Sequence, residues 1–201
     1  MVKRNMTVSE NIVMAAIALA FLSMPSCKLR QNLLIYQSET FSVELRELPG
    51  GYPPINHFHH PYTLPPDAIF NVLESLTYDA GTVLPFSKTH LRKVFTRSQA
   101  EQLAPDLSKA LSLAPPQQVT AFTITETEKP DRQTTGFVFV LNEEVHLIME
   151  NLRRPRYEGE HNTYQQPVSN WKLRPTGIQR LYTRRSDGKG VVTNWIITPL
   201  R

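Results

Sequence analysis

The residues with the clearest capacity for chemistry are in His57-Phe58-His59-His60, which holds three of the chain's six histidines. In extended chain, side chains two residues apart share a face. His57 and His59 could therefore hold Zn or Cu between them, with His60 beside them and a distant carboxylate or imidazole completing the shell. The tetrad lacks the long-range partner spacing of a zinc motif and lies among prolines, where imidazoles are ordinarily solvated or cap a turn. Catalytic chemistry finds less support, because the chain has no G-x-S-x-G elbow, P-loop, H-E-x-x-H or dinucleotide fingerprint. Glu143 and Glu144 are adjacent and would face opposite sides of a strand, the wrong arrangement for two carboxylates flanking one glycosidic bond. Glu126 and Glu128 share a face but run into Lys129-Pro130-Asp131, which reads as a loop. No catalytic residue and no cofactor is assigned; the expected role is a non-catalytic binding or assembly module, and the alternative is a metal-binding protein or enzyme using His57, His59 and His60. His146 and the two tryptophans, Trp171 and Trp195, read as packing residues.

Charge is unevenly spread. Residues 27–152 hold 10 Lys and Arg against 14 Asp and Glu, whereas residues 153–201 hold 10 against 3, so the C-terminal quarter carries a formal +7. Arg153, Arg154 and Arg156 flank Pro155, and Arg184 and Arg185 stand before a Ser186-Asp187-Gly188-Lys189-Gly190 turn. Guanidinium is well shaped for phosphate and carboxylate, which makes these five residues the expected patch for an anionic partner. The competing explanation is a sheet edge kept soluble by charge.

One cysteine permits neither an intramolecular disulfide nor a cysteine-based zinc site, so Cys27 needs another reason. Its surroundings supply one. Lys3 and Arg4 precede an apolar run from Ile12 to Leu22, and Ser23-Met24-Pro25-Ser26-Cys27 closes it, which is the layout of a secretory signal. The run falls short of the ~20 apolar residues that a membrane-spanning helix needs. With the small Ser26 directly before the cysteine, residues 1–27 resemble the precursors of bacterial lipoproteins. That resemblance implies removal of residues 1–26, lipidation of Cys27 and anchoring in the cell envelope. Lys28 stands where an aspartate marks inner-membrane retention in that family, so the resemblance implies the outer membrane, facing the periplasm. An exported protein meets lipid phosphates and anionic envelope polymers, or a protein partner, and no nucleic acid.

The elements that must position these residues follow from periodicity. Residues 27–66 read as a lipid-anchored tether, because Pro49 to Pro66 holds six prolines that suppress helix and central strand. Phe41, Val43 and Leu45 within it alternate with polar residues as an edge strand would. A helix is expected from Pro65-Pro66-Asp67, a short one from Ser87 to Val94, and a third capped by Ser98 and Glu101 and stopped by Pro115-Pro116. From Val119 the period becomes two, predicting strands over 119–127, 135–141 and 145–152, with Asn142-Glu143 as a hairpin turn and a second hairpin joining 178–183 to 191–198. The expected fold is α+β, over 67–201: two or three helices followed by an antiparallel sheet of four or five strands, with the helices on one face. Its predicted core is Leu73, Leu76, Leu103, Leu107, Phe122, Phe137, Phe139, Leu147 and Trp195.

Overall fold

A computed structural model describes residues 32–55, 57–81, 91–156, 171–185 and 189–200. Residues 1–26, Cys27, the first half of the expected Ser87–Val94 helix and the Ser186-Asp187-Gly188 turn lie outside the described residues. Asn32 to Arg201 form one compact unit.

The fold is mostly β, not the α+β arrangement expected. Among the described residues there are ten strands and two helices. The strands are β1 (Leu33–Gln37), β2 (Phe41–Arg46), β3 (Thr77–Asp79), β4 (Leu91–Lys93), β5 (Val119–Thr125), β6 (Arg132–Leu141), β7 (Glu144–Pro155), β8 (Lys172–Arg174), β9 (Arg180–Thr183) and β10 (Val191–Pro199); the helices are α1 (Pro66–Ser75) and α2 (Arg97–Leu113). A seven-stranded antiparallel sheet runs in the order β1-β2-β5-β6-β7-β10-β9, and a second sheet of three short strands runs β4-β3-β8. The departure has a simple cause. Strands of three residues, such as β3, β4 and β8, are too short to show a period, and β3 joins β8 across nearly a hundred residues of sequence. Leu91–Lys93, expected as helix, is one of them.

Where the local signals are strong they hold. Pro66 sits in the first turn of α1, where its missing N–H and fixed φ cost nothing. The capping box of α2 forms two residues earlier than expected: Thr96 accepts from the Gln99 amide at 3.2 Å and Gln99 Oε1 accepts from the Thr96 amide at 2.9 Å. Glu101, the alternative box partner, is instead paired with Arg97 Nε at 2.9 Å. Asn142 and Glu143 both adopt left-handed backbone, with φ of 51° and 58°, which matches the twist of a two-residue hairpin between β6 and β7.

Every predicted core residue is buried, but the core has two layers, one on each face of the large sheet. Alternation sends Val43, Leu45, Phe122, Val138, Leu147 and Ile196 to one face, where they cluster with Leu73 and Leu76 and with Leu103 and Leu107 of α2. It sends Phe137, Phe139, Ile148, Trp195 and Ile197 to the other. That second face is covered by the proline-rich stretch itself. Phe58 is buried against Phe139 with ring centroids 4.8 Å apart, and Tyr52 meets Phe137 and Trp195 edge-on. The Phe58, His59 and Tyr62 amides donate to the carbonyls of Pro116, Val140 and Leu111 at 2.8 to 2.9 Å.

Residues 32–66 are therefore built into the domain, and the expected tether reading of them is corrected. Prolines do exclude regular structure here, but Tyr52, Ile55 and Phe58 recur between them and give the irregular chain something to bury. Burying a phenylalanine side chain contributes about 1.5–3 kcal/mol, enough to seat an extended segment that also satisfies its amides. For the same reason β2 is an interior strand: β1, unforeseen in the sequence, pairs on its outer side.

Candidate functional site

The cover stops short of one end of the second face, and the exposed remainder is polar. The β2 residues that alternate with Phe41, Val43 and Leu45 are Ser42, Glu44 and Arg46, and they look into this space. Register aligns Ser42 with Thr123, Thr123 with Thr135, and Thr135 with Asn151, a row of three hydroxyls and an amide across four neighbouring strands. With strands ~4.8 Å apart, the row is about 14 Å long. Asn151 Nδ2 donates to Thr135 Oγ1 at 3.0 Å. A second row of Thr125, Gln133 and Arg154 lies beyond it, and Gln37, Ser38, Glu39 and Arg156 complete an open groove of about 480 Å³.

The inner end of the groove is a charge cluster. Arg46 reaches Glu44 at 3.4 Å and Glu150 at 3.7 Å, with its guanidinium carbon 4.8 Å from the centre of the Phe137 ring. Burial raises the Glu150 carboxyl above its ordinary value, against the pull of Arg46 and a hydrogen bond from Thr135. Beside it the Tyr52 phenol is pushed up to about 12, by burial first and then by the negative Glu150, so it stays protonated as a donor. Beneath the groove, β6 passes so close to β7 that only glycine fits at 136: a Cβ there would press on the Ile148 carbonyl oxygen and lie 2.8 Å from Phe122 Cζ. What this surface offers is a spaced grid of neutral donors and acceptors, with Arg154, Arg156 and Glu39 at its rim and the Arg46 cluster with Glu44 and Glu150 at its inner end, which is hydrogen-bonding chemistry for an extended polar chain.

The structure divides the predicted arginine patch. Arg154 and Arg156 border the groove. Arg153 has a φ of 52° and turns the other way, into a cavity of about 400 Å³ with Tyr78, Glu126 and Trp171, where its Nε lies 3.4 Å from Glu126. It is paired inside the domain and leaves the patch. Arg184 and Arg185 are exposed at the end of β9, where the Arg184 amide donates to the Gly190 carbonyl, and β10 lies between that strand and β7. The five arginines are thus not one surface.

The histidine tetrad is also corrected. His60 is buried, and both ring nitrogens are spoken for: Nδ1 donates to the Gln118 carbonyl at 2.9 Å and Nε2 accepts from the Val140 amide at 3.0 Å. Burial lowers its pKa. His59 Nδ1 accepts from the Asn142 amide at 3.2 Å, steadying the hairpin turn, and His57 is exposed. His59 and His60 therefore pin the proline-rich cover to the end of β6, and His60 has no free nitrogen for the metal site expected of His57, His59 and His60. Among the described residues no group of three or more His, Cys, Asp and Glu is placed to hold a metal ion.

The groove residues carried no sequence signal. Ser, Thr, Gln and Asn on alternate strand positions look like any solvated face, and only the register across β2, β5, β6 and β7 assembles them. The chain matches no protein-family model, no curated protein and no solved structure.

Proposed function

We propose that this chain is a lipid-anchored envelope protein whose β-domain is a non-catalytic binding module, holding an anionic, hydroxyl-bearing envelope polymer in the polar groove. The observation that carries the binding half is the row Ser42-Thr123-Thr135-Asn151 with Arg154 and Arg156 at its rim. A polymer of sugars presents hydroxyls at spacings such a row can meet, and carboxylate or phosphate groups on it meet guanidinium. The anchor half is supported by the signal-like residues 1–26, by Cys27 at their end and by a compact unit that begins only five residues later, at Asn32. No helix among the described residues is long and apolar enough to cross a membrane.

Two measurements test the reading. Cys27→Ser should move the protein from the membrane fraction to the soluble one and remove the acyl mass; unchanged partition and mass would end the anchor half. For the groove, titration of the full chain with lipopolysaccharide or acidic cell-wall fragments should show binding that weakens as salt rises, because exposed charges are screened over ~8 Å at physiological ionic strength. In Arg154→Gln/Arg156→Gln, binding should fall roughly 2- to 30-fold, from about 0.2–1 kcal/mol for each exposed pair. Affinity untouched by salt and by both substitutions would refute the groove as the site.

A further inference from the structure

Among the described residues, no strand pairs on the outer side of β1, the strand of the large sheet that lies nearest to Cys27 in sequence. β1 reads Leu-Leu-Ile-Tyr-Gln, and it pairs with β2 on one side only. Edge strands are ordinarily blunted by lysine, proline or a covering segment, because their unpaired backbone and apolar side chains invite association. β1 contains no charge and no proline. Leu33, Leu34 and Tyr36 are 53%, 52% and 39% exposed, so three of the seven exposed large apolar side chains among the described residues fall within this one five-residue strand. Ile35 is the extra residue of a bulge between the Leu34–Glu44 and Tyr36–Val43 pairs and turns inward against the core. Of its neighbours, Leu34 is left outside on one face, and Tyr36 stacks one side of its ring on Phe41, with centroids 4.6 Å apart, and leaves the rest exposed.

The length of chain before the strand says what covers them. Leu33 follows Cys27 by six positions, with five residues between them, and at ~3.6 Å per residue fully extended chain spans about 22 Å at most over that length. If Cys27 carries the lipid, β1 cannot leave the neighbourhood of the headgroups, and an apolar strand held there meets the boundary between headgroups and acyl chains that exposed leucine and tyrosine side chains enter. We propose that Leu33, Leu34 and Tyr36 form a membrane-contacting edge, which seats the domain on the lipid surface with β1 down. This inference rests on the lipid-anchor reading, and it fixes an orientation that the anchor alone does not.

The test uses the full-length acylated protein in vesicles of phosphatidylethanolamine and phosphatidylglycerol. Lipidation consumes Cys27, so Leu34→Cys or Tyr36→Cys provides a single thiol for an environment-sensitive fluorophore. Ile178→Cys, exposed beside β9 at the opposite edge of the sheet, is the reference. Lipids with quenchers on their acyl chains should quench the β1 probes at least threefold more than the reference probe, and the β1 emission should shift to the blue on reconstitution. Equal quenching at both edges, in protein that floats with the vesicles and carries the acyl mass, would overturn the inference and leave the anchor standing. Equal quenching with Leu34→Cys dimers trapped by oxidation would assign the edge to a second copy instead. Protein that neither floats nor carries acyl mass would overturn both readings.

Discussion

Acid should destabilise this domain through His146, and the size of the effect can be worked out. The ring lies on β7, buried, stacked on Phe139 with centroids 5.0 Å apart, and its Nδ1 accepts from Trp195 Nε1 at 3.2 Å. An indole N–H can only donate, so the imidazole keeps its one proton on Nε2, and charging it requires a second proton at the atom the indole already uses. Burial, then the nearby Arg180, lowers the His146 pKa from 6.5 to about 4. Glu144, 3.9 Å from Nε2, does not reverse this, because Arg180 holds its carboxylate at 2.7 and 2.9 Å. Between those two pKa values the unfolded chain binds a proton that the folded chain refuses. The stabilisation is therefore complete above pH 6.5 and is lost as pH falls toward 4. At ~1.4 kcal/mol per pKa unit the full loss is about 3 kcal/mol, of which about 2 kcal/mol falls between pH 7 and 5. His60, also lowered by burial, acts in the same direction, while the raised carboxyls of Glu150 and Asp106 act in the opposite one. A substitution isolates His146. Gln at this position can still accept from Trp195 but does not titrate, so in urea unfolding at pH 7, 6 and 5 the loss of stability in His146→Gln should be about 2 kcal/mol smaller than in the wild type, a midpoint difference of roughly 1 M. Parallel pH profiles for the two proteins would refute the reasoning.

Three further substitutions separate structure from chemistry. His60→Ala leaves the Val140 amide and the Gln118 carbonyl unpaired in the interior and should lower stability by about 2–4 kcal/mol, whereas His57→Ala, at an exposed site, should stay within about 0.5 kcal/mol; similar losses in thermal unfolding would mean that the tetrad acts as one unit after all. Gly136→Ala pushes a methyl group onto the Ile148 carbonyl oxygen, a backbone atom that cannot step aside without moving β7, and should cost about 1–3 kcal/mol; a neutral result in the same assay would show that β6 and β7 have room to separate.

Much of this architecture is written in short-range pattern. Alternation in β5, β6 and β7, the Asn142-Glu143 turn, Pro66 at the start of α1 and the stop at Pro115 depend on neighbours two to four residues apart, and all are visible in the sequence. So is the identity of the buried residues, because a phenylalanine or leucine in phase with its strand has nowhere else to go. The fold class was less legible: three-residue strands have no period, and β3 joins β8 across nearly a hundred residues. Choice between equivalent signals was also beyond local reading. Thr96-x-x-Gln99 and Ser98-x-x-Glu101 satisfy the same capping rule, and the packing of Gln99 with the pairing of Arg97 to Glu101 decides for the first.

The proline-rich stretch shows the division most clearly. Sequence alone determined that it forms neither helix nor central strand, because proline lacks the amide and fixes φ. Only the tertiary structure decided whether it would hang free or cover a sheet face, because that depends on an apolar surface built by Phe137, Phe139 and Trp195, some 80 to 140 residues further along the chain. The candidate groove is what that cover leaves open. Its hydroxyls are unremarkable one by one in the sequence; register, a long-range property that burial of the other face enforces, brings them into a row.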